Sequence, residues 1–152
     1  MAHEGLIFCA GELTIEVFMR KTHALAVVTV LMVSALAQTD SDYQAWMKSN
    51  AVNMVSLNKS IARKDGAGAA ADAHKLEATF KQVEEFWKNH GGGLDALNFA
   101  NRAKMVAAAI AKSAAAGDMD DAAAEAKNLQ LTCGGCHMAH RIGTSGSFKI
   151  KM

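Results

Sequence analysis

The chain predicts an all-α fold, an antiparallel up-down-up-down four-helix bundle. Three observations carry that expectation. Four stretches of about 22 residues repeat apolar positions at steps of three and four, the period of an amphipathic helix. Glycine-containing breaks at Asp65-Gly66-Ala67-Gly68, Gly91-Gly92-Gly93 and Gly117-Asp118 separate them. No run alternates with period two, and the 152 residues contain no proline to interrupt a helix.

The first stretch, residues 41–64, carries Tyr43, Met47, Met54, Leu57 and Ile61 on one face. The second, 69–90, carries Ala73, Leu76, Phe80, Val83 and Trp87, and the third, 94–116, Phe99, Ala103, Val106 and Ile110. The fourth, 119–141, runs Met119, Ala122, Ala126, Leu129, Cys133, Cys136 and His140. Asp118 is the expected N-cap of this last helix, with Asp120 and Asp121 favoured in its first turn. Each helix is about 33 Å long at about 1.5 Å per residue, and short links make neighbours antiparallel. Past residue 141 the polar, Gly/Ser-containing tail is expected to be loose.

The start of the chain reads as export machinery. Arg20 and Lys21 precede an apolar run over residues 24–37, and Ala35-Leu36-Ala37 offers a small-x-small cleavage pattern before Gln38. The expected division is an over-extended start at 1–18, a signal peptide at 19–37, and one bundle domain at 38–152. An uncleaved membrane anchor is the alternative, although the run is short of the roughly 20 apolar residues a span needs. Cys9 then lies outside the mature protein. A formal net charge of +1 gives no electrostatic case for nucleic acid. No general acid/base or nucleophile constellation stands out, the carboxylates falling on expected exposed faces, so no enzyme is expected.

Cys133-Gly134-Gly135-Cys136-His137 carries the chemistry. C-x-x-C-H is the attachment signature of a c-type haem: two thiols add to two vinyl groups and the imidazole ligates iron. On a helix, positions i, i+3 and i+4 share a face, so all three side chains meet one macrocycle. A disulfide pair, half a zinc site and a thioredoxin-like dithiol are the alternatives. The zinc reading lacks a second ligand pair and the dithiol reading lacks a βαβ pattern. Export and haem attachment support each other, since bacteria attach haem outside the inner membrane and the two exposed thiols are consumed as thioethers.

Bundle geometry selects a sixth ligand. His137 lies roughly 6 Å from one end of the bundle and Met47 roughly 9 Å from it, on adjacent helices. The Met47 thioether is a suitable axial ligand opposite His137. Met138 and His140 share the helix of His137, Met54 is expected to lie two turns too deep, Met105 is off register, and His74 sits at the other end. His90 is the one competitor kept. Trp46, Phe86, Trp87 and Phe99 fall at the same end and are expected to wall the cofactor.

These residues resemble the class II c-type cytochromes, the cytochrome c′ family, across the mature chain. The resemblance rests on Cys133-x-x-Cys136-His137-x-x-x-Arg141, on Gln44-Ala45-Trp46-Met47-Lys48-Ser49-Asn50 continuing to Asn53-Met54, and on Phe99-Ala-Asn-Arg102-Ala-Lys104. It implies a low-spin branch with a methionine early in the first helix, here Met47. Tyr43 stands where many members have an arginine near a haem propionate, His140 replaces an aromatic, Phe99 a tryptophan, and the link between the second and third helices is short.

The function expected is a periplasmic monohaem electron carrier with one haem c, bound by Cys133, Cys136, His137 and Met47. Its expected partners are periplasmic redox proteins, without stable membrane insertion after cleavage, as a monomer or homodimer. The alternative is a five-coordinate cytochrome c′ that binds nitric oxide or carbon monoxide.

Overall fold

A computed structural model describes residues 38–151 apart from 92, 145 and 146. The expected start at 1–18 and signal peptide at 19–37 lie outside the described residues. Four helices follow: α1 Asp40–Ala62, α2 Gly66–His90, α3 Gly93–Ala115 and α4 Met119–His140. Among the described residues no helix is long and apolar enough to cross a membrane.

Each start has a local cause. Thr39 caps α1 through a capping box: its Oγ1 accepts from the Asp42 N–H at 3.2 Å, and its own N–H donates to Asp42 Oδ2 at 2.8 Å. Asp118 caps α4, its Oδ1 accepting from the Asp121 N–H at 3.0 Å. Asp65 does the same for α2 through the Gly68 N–H at 2.9 Å, so α2 begins at Gly66 rather than at residue 69. That cap converts an expected break into the first turn of a helix. Gly91 ends α2 at φ 70°, the left-handed conformation glycine adopts without steric cost.

Links of two or three residues make consecutive helices antiparallel neighbours, and α1 returns to meet α4. The all-α four-helix bundle is therefore as the periodicity predicts. Large side chains of α2 (Leu76, Phe80, Val83, Phe86, Trp87) pack against a face of α3 built largely from alanine: Ala96, Ala100, Ala103, Ala107, Ala111 and Ala114. Small against large fills the interior and lets the helices approach closely. Ala122, Ala126 and Leu129 bring α4 onto the same core. In contrast, α1 meets α4 over a far shorter seam than the other neighbouring pairs share.

Two expectations are corrected. The tail after α4 is not wholly loose: β1 (Arg141–Ile142) and β2 (Lys149–Ile150) form an antiparallel ladder with Arg141 opposite Ile150. The Lys151 N–H donates to the His140 carbonyl at 2.8 Å, and Ile150 packs on the core. Nor are all carboxylates on exposed faces, since Asp72 and Glu84 are buried. Asp72 accepts from Lys75 Nζ at 2.9 Å. Glu84 takes Lys104 of α3 and Lys88 of its own helix, the latter at 3.0 Å. Ion pairing stands in for the water these groups lose.

The Lys104 and Lys88 ammonium groups hold the Glu84 carboxyl below its usual range. A carboxylate whose folded pKa lies below the unfolded value contributes stability above the unfolded pKa, here 4.5, and loses it as pH falls through the folded value. Glu84→Gln is therefore expected to cost on the order of 2 kcal/mol at neutral pH. The deficit should shrink as pH falls below 4.5 in urea unfolding at a series of pH values, and a constant deficit would contradict the linkage.

Candidate haem-binding site

The short seam between α1 and α4 is the site. Where the two helices part, a chamber of about 140 Å³ opens, lined from α1 by Tyr43, Met47, Asn50, Ala51 and Met54. From α4 it is lined by Thr132, Cys133, Cys136 and His137, with Phe80, Val83, Phe99, Ala100 and Ala103 behind. A second chamber of about 390 Å³ shares Tyr43, Met47, Ala51, Cys136 and His137 with the first and continues to the bundle end. Met47, Met54, Phe99, Cys133, Cys136 and His137 all point inward by periodicity, yet each is only half-buried. All six line the inner chamber.

The four residues the sequence selects come together here. Cys133, Cys136 and His137 sit on one face of α4, and Met47 lines the same chamber from α1. The cysteines are free thiols, not the disulfide that was an alternative, and they are half-buried rather than exposed. Burial pushes both thiols up to about 11. Burial, and then the neighbouring Arg141 charge, lower the His137 pKa, which favours the neutral imidazole that can act as a ligand. Among the described residues no three His, Cys, Asp or Glu side chains converge as a metal site.

Other placements differ from the sequence reading. Met54 is not too deep, because it lines the inner chamber with Met47. The expected competitor His90 lines neither chamber: its ring stacks on Phe86 at 4.0 Å and its Nδ1 lies 2.9 Å from the Phe86 carbonyl. Of the four aromatics expected as walls, Phe99 is one. Trp46, Phe86 and Trp87 line neither chamber; Phe86 and Trp87 instead pack behind Tyr43, with ring centroids 4.8 and 5.7 Å from it. Tyr43 is thereby held buried at the boundary of both chambers, and burial raises its hydroxyl pKa. His140 is fixed between Trp87 and Asp95, whose Oδ2 lies 3.0 Å from its Nε2.

Three contributions to the site are not foreseen from the sequence. Phe80 and Asn50 line the inner chamber, and the buried Asn50 amide has no hydrogen-bond partner among the described residues. The tail supplies Phe148, Lys149 and Ile150 to the outer chamber. The alternation Phe148-Lys149-Ile150-Lys151 is a short strand signal that the Gly/Ser composition before it obscures.

Compared with family models, curated proteins and solved structures, the chain gives no match. The site's chemistry must therefore be read from its own residues.

The two glycines between the cysteines differ. A Cβ at Gly135 would lie 2.9 Å from the Phe99 ring, whereas a Cβ at Gly134 meets nothing within 4 Å. Gly134→Ala is expected to stabilise the chain by about 1 kcal/mol, the helix-propensity difference. Gly135→Ala should gain less, because Phe99 must shift. Thermal unfolding of the two variants checks this, and equal gains would contradict the assigned contact.

Proposed function

We propose that the chain is a periplasmic monohaem c-type cytochrome of the cytochrome c′ kind, serving as a one-electron carrier. The observation that supports this reading most is that the C-x-x-C-H thiols and imidazole open onto an apolar chamber whose opposite wall carries a methionine sulfur. Without that chamber the motif would be a spacing alone.

The donor set suits haem c. Free, adjacent thiols suit two thioethers, a largely neutral imidazole suits the proximal ligand, and a thioether suits the opposite axial position. Carbon and sulfur dominate the lining, matching a flat apolar macrocycle. Cys133 and Cys136 would hold the group through their thiols, and His137 and Met47 would offer their nitrogen and sulfur to its iron. Bound there, haem c supplies a one-electron Fe(III)/Fe(II) couple.

The chain's own residues supply the rest. Phe80, Val83 and Phe99 exclude water from one side of the chamber, which favours the less charged state of whatever is held there. Tyr43, braced by Phe86 and Trp87, fixes the base of α1 and with it the position of Met47 one turn further on. Packed α2 and α3 give the two ligand-bearing helices a rigid back. A site that moves little between oxidation states suits electron transfer. Electron-donor and electron-acceptor proteins of the periplasm are the partners this reading implies, reached through the leader read at residues 19–37.

Met54 replaces His90 as the rival ligand, since it shares the chamber. Met47→Ala is expected to convert a low-spin six-coordinate spectrum to high-spin and create carbon monoxide binding to the ferrous protein. A Met47→Ala protein that stays low-spin would transfer ligation to Met54. A wild-type protein that is already high-spin and binds carbon monoxide would make Met47 packing and the chain a gas binder.

A further inference from the structure

The two chambers differ in chemistry. The inner one is walled mostly by apolar carbon and sulfur. The outer one adds Lys48 from α1, Arg141 from the end of α4 and Lys149 from β2, with His140 beside them. No carboxylate lines it, and among the described residues none of the three cations joins an ion pair. Three like charges around one open cavity repel one another until an anion arrives.

The tail that brings Lys149 there is built, not incidental. The ladder fixes Lys149 opposite Ile142, and the Arg141 guanidinium sits 4.1 Å over the Phe148 ring. His140 anchors the base of the hairpin on two sides, through Asp95 and through the backbone of Lys151. Ile150 secures the far strand on the core. The net effect is a strap that closes one side of the outer chamber and holds a cation at its rim.

We propose that the outer chamber receives the carboxylate edge of the bound haem, with Lys48 and Lys149 as the anchoring pair and the C-terminal hairpin as the strap that positions one of them. The inference rests on the haem reading and assigns the part of the site that reading leaves open. Haem c is attached at one edge and carries two propionates at the opposite edge. Cys133 lines only the inner chamber while Cys136 lines both, so the attached edge straddles the boundary with its Cys133 side inward, and the opposite edge faces the cations. Tyr43, buried and uncharged, cannot supply the countercharge, whereas Lys48 and Lys149 can.

The test uses the exported holoprotein beside Lys48→Gln/Lys149→Gln and, separately, Lys149→Glu. All three substitutions are at exposed side chains, and thioethers retain the haem whatever the rim charge. Intact mass establishes haem content first; equilibrium reduction potential and the propionate bending bands in resonance Raman follow. Removing cations near the iron favours its ferric form, so both variants are expected to titrate at lower potential with shifted propionate bands. Variants that carry haem with the wild-type potential and wild-type bands would overturn the assignment and leave the carrier reading standing. A wild-type mass without haem would instead overturn the carrier reading, and this inference with it.

Discussion

An incompletely closed seam between α1 and α4 is the constraint on which the site depends. Natural interiors pack like organic crystals and leave few voids. Here, side chains at core-facing positions on both helices stay half-buried around an apolar space. Apolar walls of this kind gain dispersion contacts from a flat apolar group that fits between them. The α1 and α4 faces are thus incomplete as a core and well suited as two walls of a site. The thiols and imidazole occur where the seam is open, so packing and chemistry share one location.

The rest of the bundle keeps that seam open without collapse. Side chains on α2 and the alanine face of α3 form a filled block, and the buried Glu84 of α2 pairs with Lys104 to tie the two helices together. Caps at Thr39, Asp65 and Asp118 set where three helices begin and hence their register at each end. Against this block, Tyr43 packs on Phe86 and Trp87 and holds the base of α1. Rigid support behind a site matters because the side chains of a binding constellation tolerate little displacement.

The bundle is legible in the sequence because long helices with clear punctuation give the strongest pattern a chain carries. Ala73, Leu76, Phe80, Val83 and Trp87 all repeat at helical steps and all are buried. The thiols and histidine are legible because their spacing on a helix dictates a shared face. Depth is less so: Met54 and Met47 share the chamber, because the open seam extends two turns and periodicity cannot show its length. The aromatic walls are misread for a similar reason. Phe86 and Trp87 cluster at the correct end but serve to brace Tyr43, and only packing distinguishes a brace from a wall. The C-terminal hairpin escapes because two-residue strands are held by long-range contacts to His140 and the core, which local composition does not record.

Near-infrared absorption of the purified, oxidised protein tests the central claim most directly, since it would report the atoms on both faces of a bound haem iron at once. Ligation by His137 from α4 and Met47 from α1 predicts a methionine-to-iron charge-transfer band in a low-spin protein with one covalent haem. A protein with no haem absorption, or a haem spectrum carrying high-spin bands and no such feature, would contradict it.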